Sequence, residues 1–235
     1  MKGSIFLIAL LLLVSHAMAE AVYENDVLLE KNSVSLTIFE TYNLTDASEF
    51  RASLDSDNDS QLTEPEVSSF KGAYLASRSP QFMEYVKVDD GNMTLYMDSV
   101  TMDLYNATGN VTQDPLYVST TINYGLTPQL GAGDHFIWVM GHPLIERMRI
   151  QLPKGAVLVS SNGLDNMATL ETDPVLLEGK SGIRSFMADN RSTFEYATTV
   201  EFHDPHIYEH GYVLPFLLGV ELLLIILVLH IRRKH

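Results

Sequence analysis

The sequence predicts an α+β fold that is mainly β: a β-sandwich-like domain with an inserted helix–loop–helix and a membrane-spanning C-terminal helix. Three observations support this class. Apolar residues alternate in many short segments separated by turn residues, which is typical of antiparallel sandwiches. The apolar spacing changes to the helical period only within residues 45–77. A second long apolar run, besides the one at the N-terminus, occupies residues 213–231.

The strand segments begin at residues 33–39, where Val34, Leu36 and Ile38 alternate with other side chains. Residues 85–88 and 93–97 flank a turn-type sequence, which predicts a hairpin. Further strands are predicted over residues 100–105, 117–124, 136–140, 148–152, 156–160, 175–178, 184–188 and 193–202. Together these segments predict a sheet-rich domain over residues 20–211.

Charge and cysteine content exclude several classes of function. The chain has 235 residues, a formal net charge of −15 and no cysteine. Residues 20–212 hold 29 acidic and 11 basic residues, a net charge of −18. No nucleic-acid partner is expected, because phosphate binding needs Lys and Arg. Disulfides, cysteine-ligated zinc and thiol nucleophiles are excluded as well.

Residues 1–19 are typical of a secretory signal peptide. Lys2 provides the positive start, residues 5–14 are apolar, and Ala17 and Ala19 form a small-residue cleavage site before Glu20. An uncleaved N-terminal anchor is the alternative. The pattern predicts that the domain over residues 20–211 is exported.

Residues 212–231 are predicted to cross the membrane once. The 19 residues 213–231 would span about 28 Å as a helix, close to a hydrocarbon core of ~30 Å. The basic tail, residues 232–235, favours the cytoplasmic side. An amphipathic surface helix is the alternative, but residues 222–229 are apolar on every side. The domain is therefore predicted to be extracellular on a cell membrane.

Six Asn-X-Ser/Thr sequons agree with an extracellular location. A glycan at Asn58 is left open, because this residue lies inside the acidic loop described next. An exported, glycosylated, acidic protein without cysteine is typical of a prokaryotic cell surface. The predicted glycosylation sites are Asn43, Asn92, Asn106, Asn110 and Asn190.

Acidic residues alternate at the junction of the two predicted helices. Residues 55–66 read DSDNDSQLTEPE, and calcium takes roughly six to eight oxygen ligands at about 2.3–2.6 Å. The segment resembles the twelve-residue calcium loop of EF-hand proteins, and Leu62 fits the apolar position of that loop. The calcium ligands that the resemblance implies are, in loop order, Asp55, Asp57, Asp59, the carbonyl oxygen of Gln61, Thr63 through a water, and Glu66 as a bidentate ligand.

Ser60 departs from the family, which places glycine here because the backbone turns with positive φ. A non-glycine residue in this conformation costs about 1 kcal/mol, or roughly a fivefold loss of affinity. Extracellular calcium modules work at a Kd of about 10⁻⁴–10⁻³ M, which a single imperfect loop could reach. The alternative is an acidic, solvated turn that holds no ion.

Histidines and carboxylates cluster just before residues 212–231. Asp204 and Pro205 predict the start of a helix, which would place His206 and His210 on one face at a spacing that can bind zinc or copper. His206, Glu209 and His210 also match the H-x-x-E-H metallopeptidase signature, although too little chain follows for its downstream ligand. A polar stalk without metal is the alternative. The candidate ligands of this second metal site are His203, His206 and His210.

These observations predict a membrane-anchored extracellular calcium-binding module with a structural or interaction role. Glu221, near the middle of the apolar run, favours an alternative, a subunit of a membrane complex, because a carboxylate in hydrocarbon usually faces a partner helix. No enzyme is expected, since the chain has neither G-x-S-x-G nor a complete zinc signature. The remaining alternative is a metal-dependent hydrolase using His206, Glu209 and His210.

Overall fold

The computed structural model describes residues 21–89, 92–188, 191–209, 211 and 213–232. The predicted signal peptide, Asn190, His210 and residues 233–235 lie outside this part of the chain. Over the described residues the chain forms fourteen strands and three α-helices, so the mainly β, α+β class is confirmed. The strands are β1 (Val22–Leu29), β2 (Ser33–Tyr42), β3 (Gln61–Leu62), β4 (Val86–Val88), β5 (Thr94–Tyr105), β6 (Gly109–Asn110), β7 (Leu116–Thr127), β8 (Gly133–Met140), β9 (Ile145–Gln151), β10 (Val157–Asn162), β11 (Leu164–Leu170), β12 (Leu176–Ser181), β13 (Ile183–Ala188) and β14 (Arg191–Asp204).

Seven strands form the larger sheet, in the order β11–β12–β9–β1–β2–β7–β5. Its pairs are antiparallel except β1 with β9, which is parallel. The alternation predicted for residues 33–39 is present, since Val34 and Leu36 are buried while Ser33 and Ser35 are only partly covered. Two smaller sheets complete the fold.

The second sheet has the order β10–β14–β8–β4, and β13 pairs with β14 outside this path. β14 is the longest strand of the described chain and pairs with three others, β8, β10 and β13. The third sheet is the short pair β3–β6. Of this pair, β3 belongs to the helical insertion described below, whereas β6 lies between β5 and β7.

Both large sheets contribute one buried face to a single hydrophobic core. The apolar side chains of the two faces are removed from water together, which is the main favourable term in folding. The two sheets therefore pack against each other. Fully or almost fully buried residues from the larger sheet include Leu29, Val34, Leu36, Ile122, Tyr124 and Ile150, and those from the second sheet include Ile137, Val139, Val200 and Phe202.

The helical insertion consists of α1 (Leu44–Leu54) and α2 (Glu64–Phe82), which lie between β2 and β4. The predicted insertion, residues 45–77, ends too early, because α2 continues to Phe82. This residue is buried in the main core, and its carbonyl accepts a hydrogen bond from the Tyr124 hydroxyl at 2.6 Å. A second cluster joins the insertion to β5 and β7 through Ala47, Leu54, Leu62, Val67, Met102, Leu116 and Val118.

The hairpin predicted for residues 85–97 is wrong. β4 pairs with β8 in the second sheet, whereas β5 pairs with β7 in the larger sheet. The chain between them crosses from one sheet to the other. Asp89 holds this crossing in place, since its Oδ1 accepts a hydrogen bond from the Phe136 amide at 2.8 Å.

The helix predicted to start at Asp204 and Pro205 is also wrong. Asp204 is the last residue of β14, and its buried carboxylate accepts a hydrogen bond from Lys31 Nζ at 2.7 Å. A single 3-10 turn, Ile207–Glu209, follows. Asp204, which the local sequence predicted to cap a helix, therefore forms a long-range ion pair with Lys31 instead.

The C-terminal helix, α3 (Val213–Arg232), follows this turn. Its side chains are described over residues 214–226, where all of them are exposed. Within the described residues, none of the helices combines the length and the apolar character required to cross a membrane.

Candidate metal centre

Residues 55–66 join the two helices of the insertion and are held at both ends. α1 ends at Leu54, and Asp55 already has extended geometry, with φ −69° and ψ 95°. Thr63 is the N-cap of α2, and Pro65 lies in the first turn, where the missing amide hydrogen is not needed. Glu66 Oε2 accepts hydrogen bonds from the Thr63 amide and hydroxyl at 2.9 and 2.8 Å. The helix ends therefore determine the conformation of the loop on both sides.

Three carboxylates converge inside this loop. Asp55, Asp57 and Asp59 each offer one oxygen, and these oxygens lie within 4.8 Å of one another. Asp57 and Asp59 are exposed, and Asp55 is half-buried. Across the described residues, no other three His, Asp or Glu side chains come this close together. The structure thus brings together the residues predicted for loop positions 1, 3 and 5.

Backbone amides orient these carboxylates. Asp55 accepts hydrogen bonds from the amides of Asp59 and Ser60 at 3.3 and 2.8 Å, and Asp59 accepts one from Gln61 at 2.7 Å. Within the loop, Asn58 and Ser60 have positive φ angles of 59° and 65°. Ser60 therefore adopts the left-handed conformation for which the EF-hand family uses glycine.

Glu66 closes the loop but does not belong to the group of three aspartates. Its Oε1 accepts hydrogen bonds from the Ser56 amide and hydroxyl at 2.8 and 2.9 Å. The hydrogen bonds from Thr63, with those from Ser56, lower the pKa of Glu66 to about 2. Glu66 is therefore an ionised carboxylate that ties the start of the loop to its end.

Negative charges dominate the electrostatics of the loop. The Asp59 amide lowers the pKa of Asp57, but desolvation and the charges of Asp59 and Glu66 together outweigh it, so the pKa of Asp57 is raised. Among the ion pairs of the described residues, none involves Asp55, Asp57 or Asp59. A hard divalent cation fits this donor set, because it binds carboxylate oxygens and relieves their repulsion.

Gln61 and Thr63 follow the three aspartates in the loop and precede Glu66. Gln61 belongs to β3, and the Thr63 hydroxyl is used as a donor to Glu66. Neither side chain joins the carboxylate group. The predicted roles of the Gln61 carbonyl and of a Thr63-bound water stay predictions.

A support for the loop that the sequence did not reveal comes from β6. Gln61 and Leu62 pair with Asn110 and Gly109, and the Ser60 carbonyl accepts a hydrogen bond from the Val111 amide at 3.1 Å. Leu62 is buried in the second cluster. Only a two-residue strand without an apolar pattern takes part, so periodicity offered no signal for it.

Arg51 is the second contribution that sequence reasoning missed. Its side chain is 2% exposed, and its guanidinium donates to the carbonyls of Asn106, Thr112, Asp114 and Pro115 at 2.6–3.4 Å. The signal was available, since Arg51 shares the apolar face of α1 with Ala47 and Leu54, four residues before and three after it. By holding residues 106–115, Arg51 positions β6 against the acidic loop, residues 55–66.

Of the histidines proposed as a second metal site, the structure describes His203 and His206, and both make other contacts. His203 Nδ1 lies 2.6 Å from Asp134 Oδ1, and its Nε2 lies 2.8 Å from Glu209 Oε2. His206 stacks on Tyr208 with a centroid separation of 4.9 Å. Because both ring nitrogens of His203 face carboxylates, its geometry favours an imidazolium that joins β14 to the 3-10 turn.

We expect the pKa of His203 to lie above its usual value of about 6.5. The hydrogen bond to Glu209 is the largest cause, followed by the one to Asp134. This contact stabilises the fold below about pH 6.5, and its contribution is lost as the pH rises through the raised pKa. An NMR titration of the imidazole should show the shift, and Glu209→Gln should reduce it while the exposed control Glu171→Gln should not. A His203 pKa at or below 6.5 would contradict this assignment.

The remaining predicted sites lie on the surface of the described structure. Glu221 is exposed on α3 among exposed apolar side chains. The sequon asparagines in the described chain, Asn43, Asn58, Asn92, Asn106 and Asn110, are exposed as well. Exposure is what glycosylation needs.

The sequence matches no protein-family model and no curated protein.

Proposed function

We propose that this protein is a membrane-anchored, extracellular, β-sandwich-like module that binds one calcium ion at residues 55–66. The observation that carries the proposal is the convergence of Asp55, Asp57 and Asp59 within 4.8 Å in a loop held by a helix at each end. Among the described residues these three like charges have no basic partner, so a cation would relieve their repulsion, and oxygen-only ligands favour calcium or magnesium over softer metals.

Calcium is favoured over magnesium by the shape of the ligand set. Magnesium demands near-ideal octahedral geometry and keeps several waters, whereas calcium accepts more ligands in flexible arrangements. The loop offers three converging aspartates and the Gln61 carbonyl within twelve residues, and Glu66 could add ligands if it released its hydrogen bonds to Ser56 or Thr63. We therefore expect calcium selectivity at a Kd of about 10⁻⁴–10⁻³ M.

The role that we propose for calcium is structural. The insertion is attached to the larger sheet through the second cluster and through the β3–β6 pair. An ion at the loop would join α1, β3 and α2 in one arrangement, which stabilises the folded chain by mass action. A rigid surface of this kind suits an interaction module outside the cell.

The proposed membrane anchor is residues 212–231. Support comes from the apolar sequence and from the exposed side chains of α3 over residues 214–226. Within this anchor, Glu221 favours a second candidate function, a subunit of a membrane complex, because a carboxylate in hydrocarbon usually contacts a partner. The hydrolase alternative has less support, since Glu209 is engaged by His203 and by the His206 amide.

The proposed function is tested by calorimetric titration of the full-length chain with calcium and, separately, with magnesium. We expect one calcium per chain, at least tenfold weaker magnesium binding, and loss of calcium binding in Asp55→Asn and Glu66→Gln. The control Asp98→Asn removes an exposed aspartate outside the loop and should bind normally. Absence of calcium binding, or equal binding by Asp55→Asn, would overturn the proposal.

A further inference from the structure

A partly open cavity of about 420 Å³ lies between α2, the inner face of the larger sheet and the β8–β9 turn. It shares no residue with the acidic loop. Its volume falls within the range of about 300–1,000 Å³ that is usual for small-molecule sites. The chemistry of its lining differs from that of the apolar core next to it.

The strand register brings polar residues onto the inner face of the sheet at this point. Asn25 lies opposite Ile38, and Tyr23 lies opposite Glu40 in the β1–β2 pair. These positions continue the buried rows of Val27 and Leu36, because side chains two residues apart share a face. The inner face of the sheet therefore changes from apolar to polar side chains where it lines the cavity.

The side chain of Asn25 is the first indication that the cavity is a binding site. It lines the cavity, is 5% exposed, and its Oδ1 has no hydrogen-bond partner in the described chain. A buried polar group without a partner is expensive and rare in native proteins. A bound molecule that donates a hydrogen bond would supply the partner.

Glu40 is the second indication. Its Oε2 accepts a hydrogen bond from the Tyr42 hydroxyl at 2.5 Å, but its Oε1 accepts none within the described residues, and none of the ion pairs found there includes it. Burial raises the pKa of Glu40, although the Tyr42 hydrogen bond lowers it in part. Within the described part of the chain, this carboxyl group of the cavity therefore forms no ion pair.

Three aromatic rings surround these two groups. Tyr23, Tyr74 and Tyr85 line the cavity, and burial is the largest cause that raises the pKa of each. Faces of aromatic rings attract cations. Arg78 also lines the cavity and lies 5.8 Å from the Tyr74 ring, but it is exposed to solvent and forms no ion pair with Glu40 within the described residues.

We propose that this cavity binds a small organic molecule through a primary ammonium group. The ammonium has three donors, which Glu40 and the Asn25 Oδ1 can accept, while the tyrosine rings surround the charge. A neutral hydroxyl could donate one hydrogen bond but would bring no counter-charge to Glu40, a carboxylate would be repelled by it, and a quaternary ammonium could donate no hydrogen bond. The proposal is independent of calcium binding.

The test uses the full-length chain and four probes of similar size: n-butylammonium, n-butyltrimethylammonium, n-butanol and n-butyrate. Saturation-transfer NMR titrations give the Kd of each. We expect n-butylammonium to bind at least tenfold more tightly than the other three. Glu40→Gln should weaken its binding about tenfold or more, because a charge-assisted hydrogen bond is lost.

Asn25→Leu provides a second variant, which keeps the side-chain volume and removes the unpaired amide. It should fold as well as the parent and bind n-butylammonium roughly fivefold or more weakly. Glu49→Gln, an exposed α1 residue outside the cavity, is the matched control and should bind unchanged. If Glu40→Gln fails to fold, Asn25→Leu decides alone. Equal binding of n-butanol and n-butylammonium, or unchanged binding by the folded cavity variants, would overturn the proposal.

Discussion

Replacing Arg51 with leucine is expected to lower the free energy of unfolding by about 3–5 kcal/mol. The guanidinium is the donor to four carbonyls of residues 106–115. Leucine would leave these buried acceptors without a partner, at about 1–3 kcal/mol each before relaxation. Urea unfolding followed by circular dichroism measures the change as a lower midpoint with an unchanged slope.

A charge-keeping variant and an exposed control extend this test. Arg51→Lys keeps a positive charge but lacks the planar fork that reaches several carbonyls at once, so we expect about half of the loss. Arg191→Leu removes an exposed arginine and should change the stability by no more than about 0.5 kcal/mol. A loss below about 1 kcal/mol for Arg51→Leu would show that residues 106–115 hold their conformation without it.

Calcium at about 10 mM is expected to stabilise the chain by roughly 1.4–2.7 kcal/mol. This range follows from mass action at a Kd of about 10⁻³–10⁻⁴ M, if the unfolded chain binds no calcium. For a domain of this size it corresponds to about 3–10 °C in Tm. Differential scanning calorimetry with calcium and with chelator measures the shift, which should vanish in Asp55→Asn and Glu66→Gln.

Ser60→Gly is a variant of the same loop that is expected to raise the Tm. Ser60 has φ 65°, and glycine adopts this conformation without the cost of about 1 kcal/mol that a Cβ imposes. The variant should therefore melt about 2–4 °C higher than the parent in saturating calcium. A lower Tm would mean that the serine makes a contact that outweighs the backbone strain.

The carboxylate cluster of residues 55–66 could be predicted from the sequence because its chemistry is local. Asp55, Asp57, Asp59 and Glu66 lie within twelve residues, and helix ends on both sides hold the segment in one conformation. The mainly β class was also predictable, since alternation in residues such as Val34 and Leu36 reports one buried face directly. In both cases neighbours along the chain determine the result.

Strand partners were not predictable from these local patterns. β4 and β5 are adjacent in sequence and were predicted to form a hairpin, yet they pair with β8 and β7 in different sheets. Asp204 was predicted to cap a helix, yet it pairs with Lys31, 173 residues away. The turn sequence between β4 and β5 permits a hairpin. Pairing with β8 instead buries Val86 and Val88 in the main core, and this burial of apolar surface favours the observed arrangement.

The sequence by itself determined the acidic loop, the sheet-rich class and the presence of a helical insertion. Each of these is visible in local patterns of neighbouring residues. Only the tertiary structure decided that Arg51 supports the loop from inside, that β6 pairs with it, and that Asn25 and Glu40 share a cavity. These last features join residues 15 to 64 positions apart. Their free energy comes from desolvation and from hydrogen bonds across elements, and neither leaves a periodic trace in the chain.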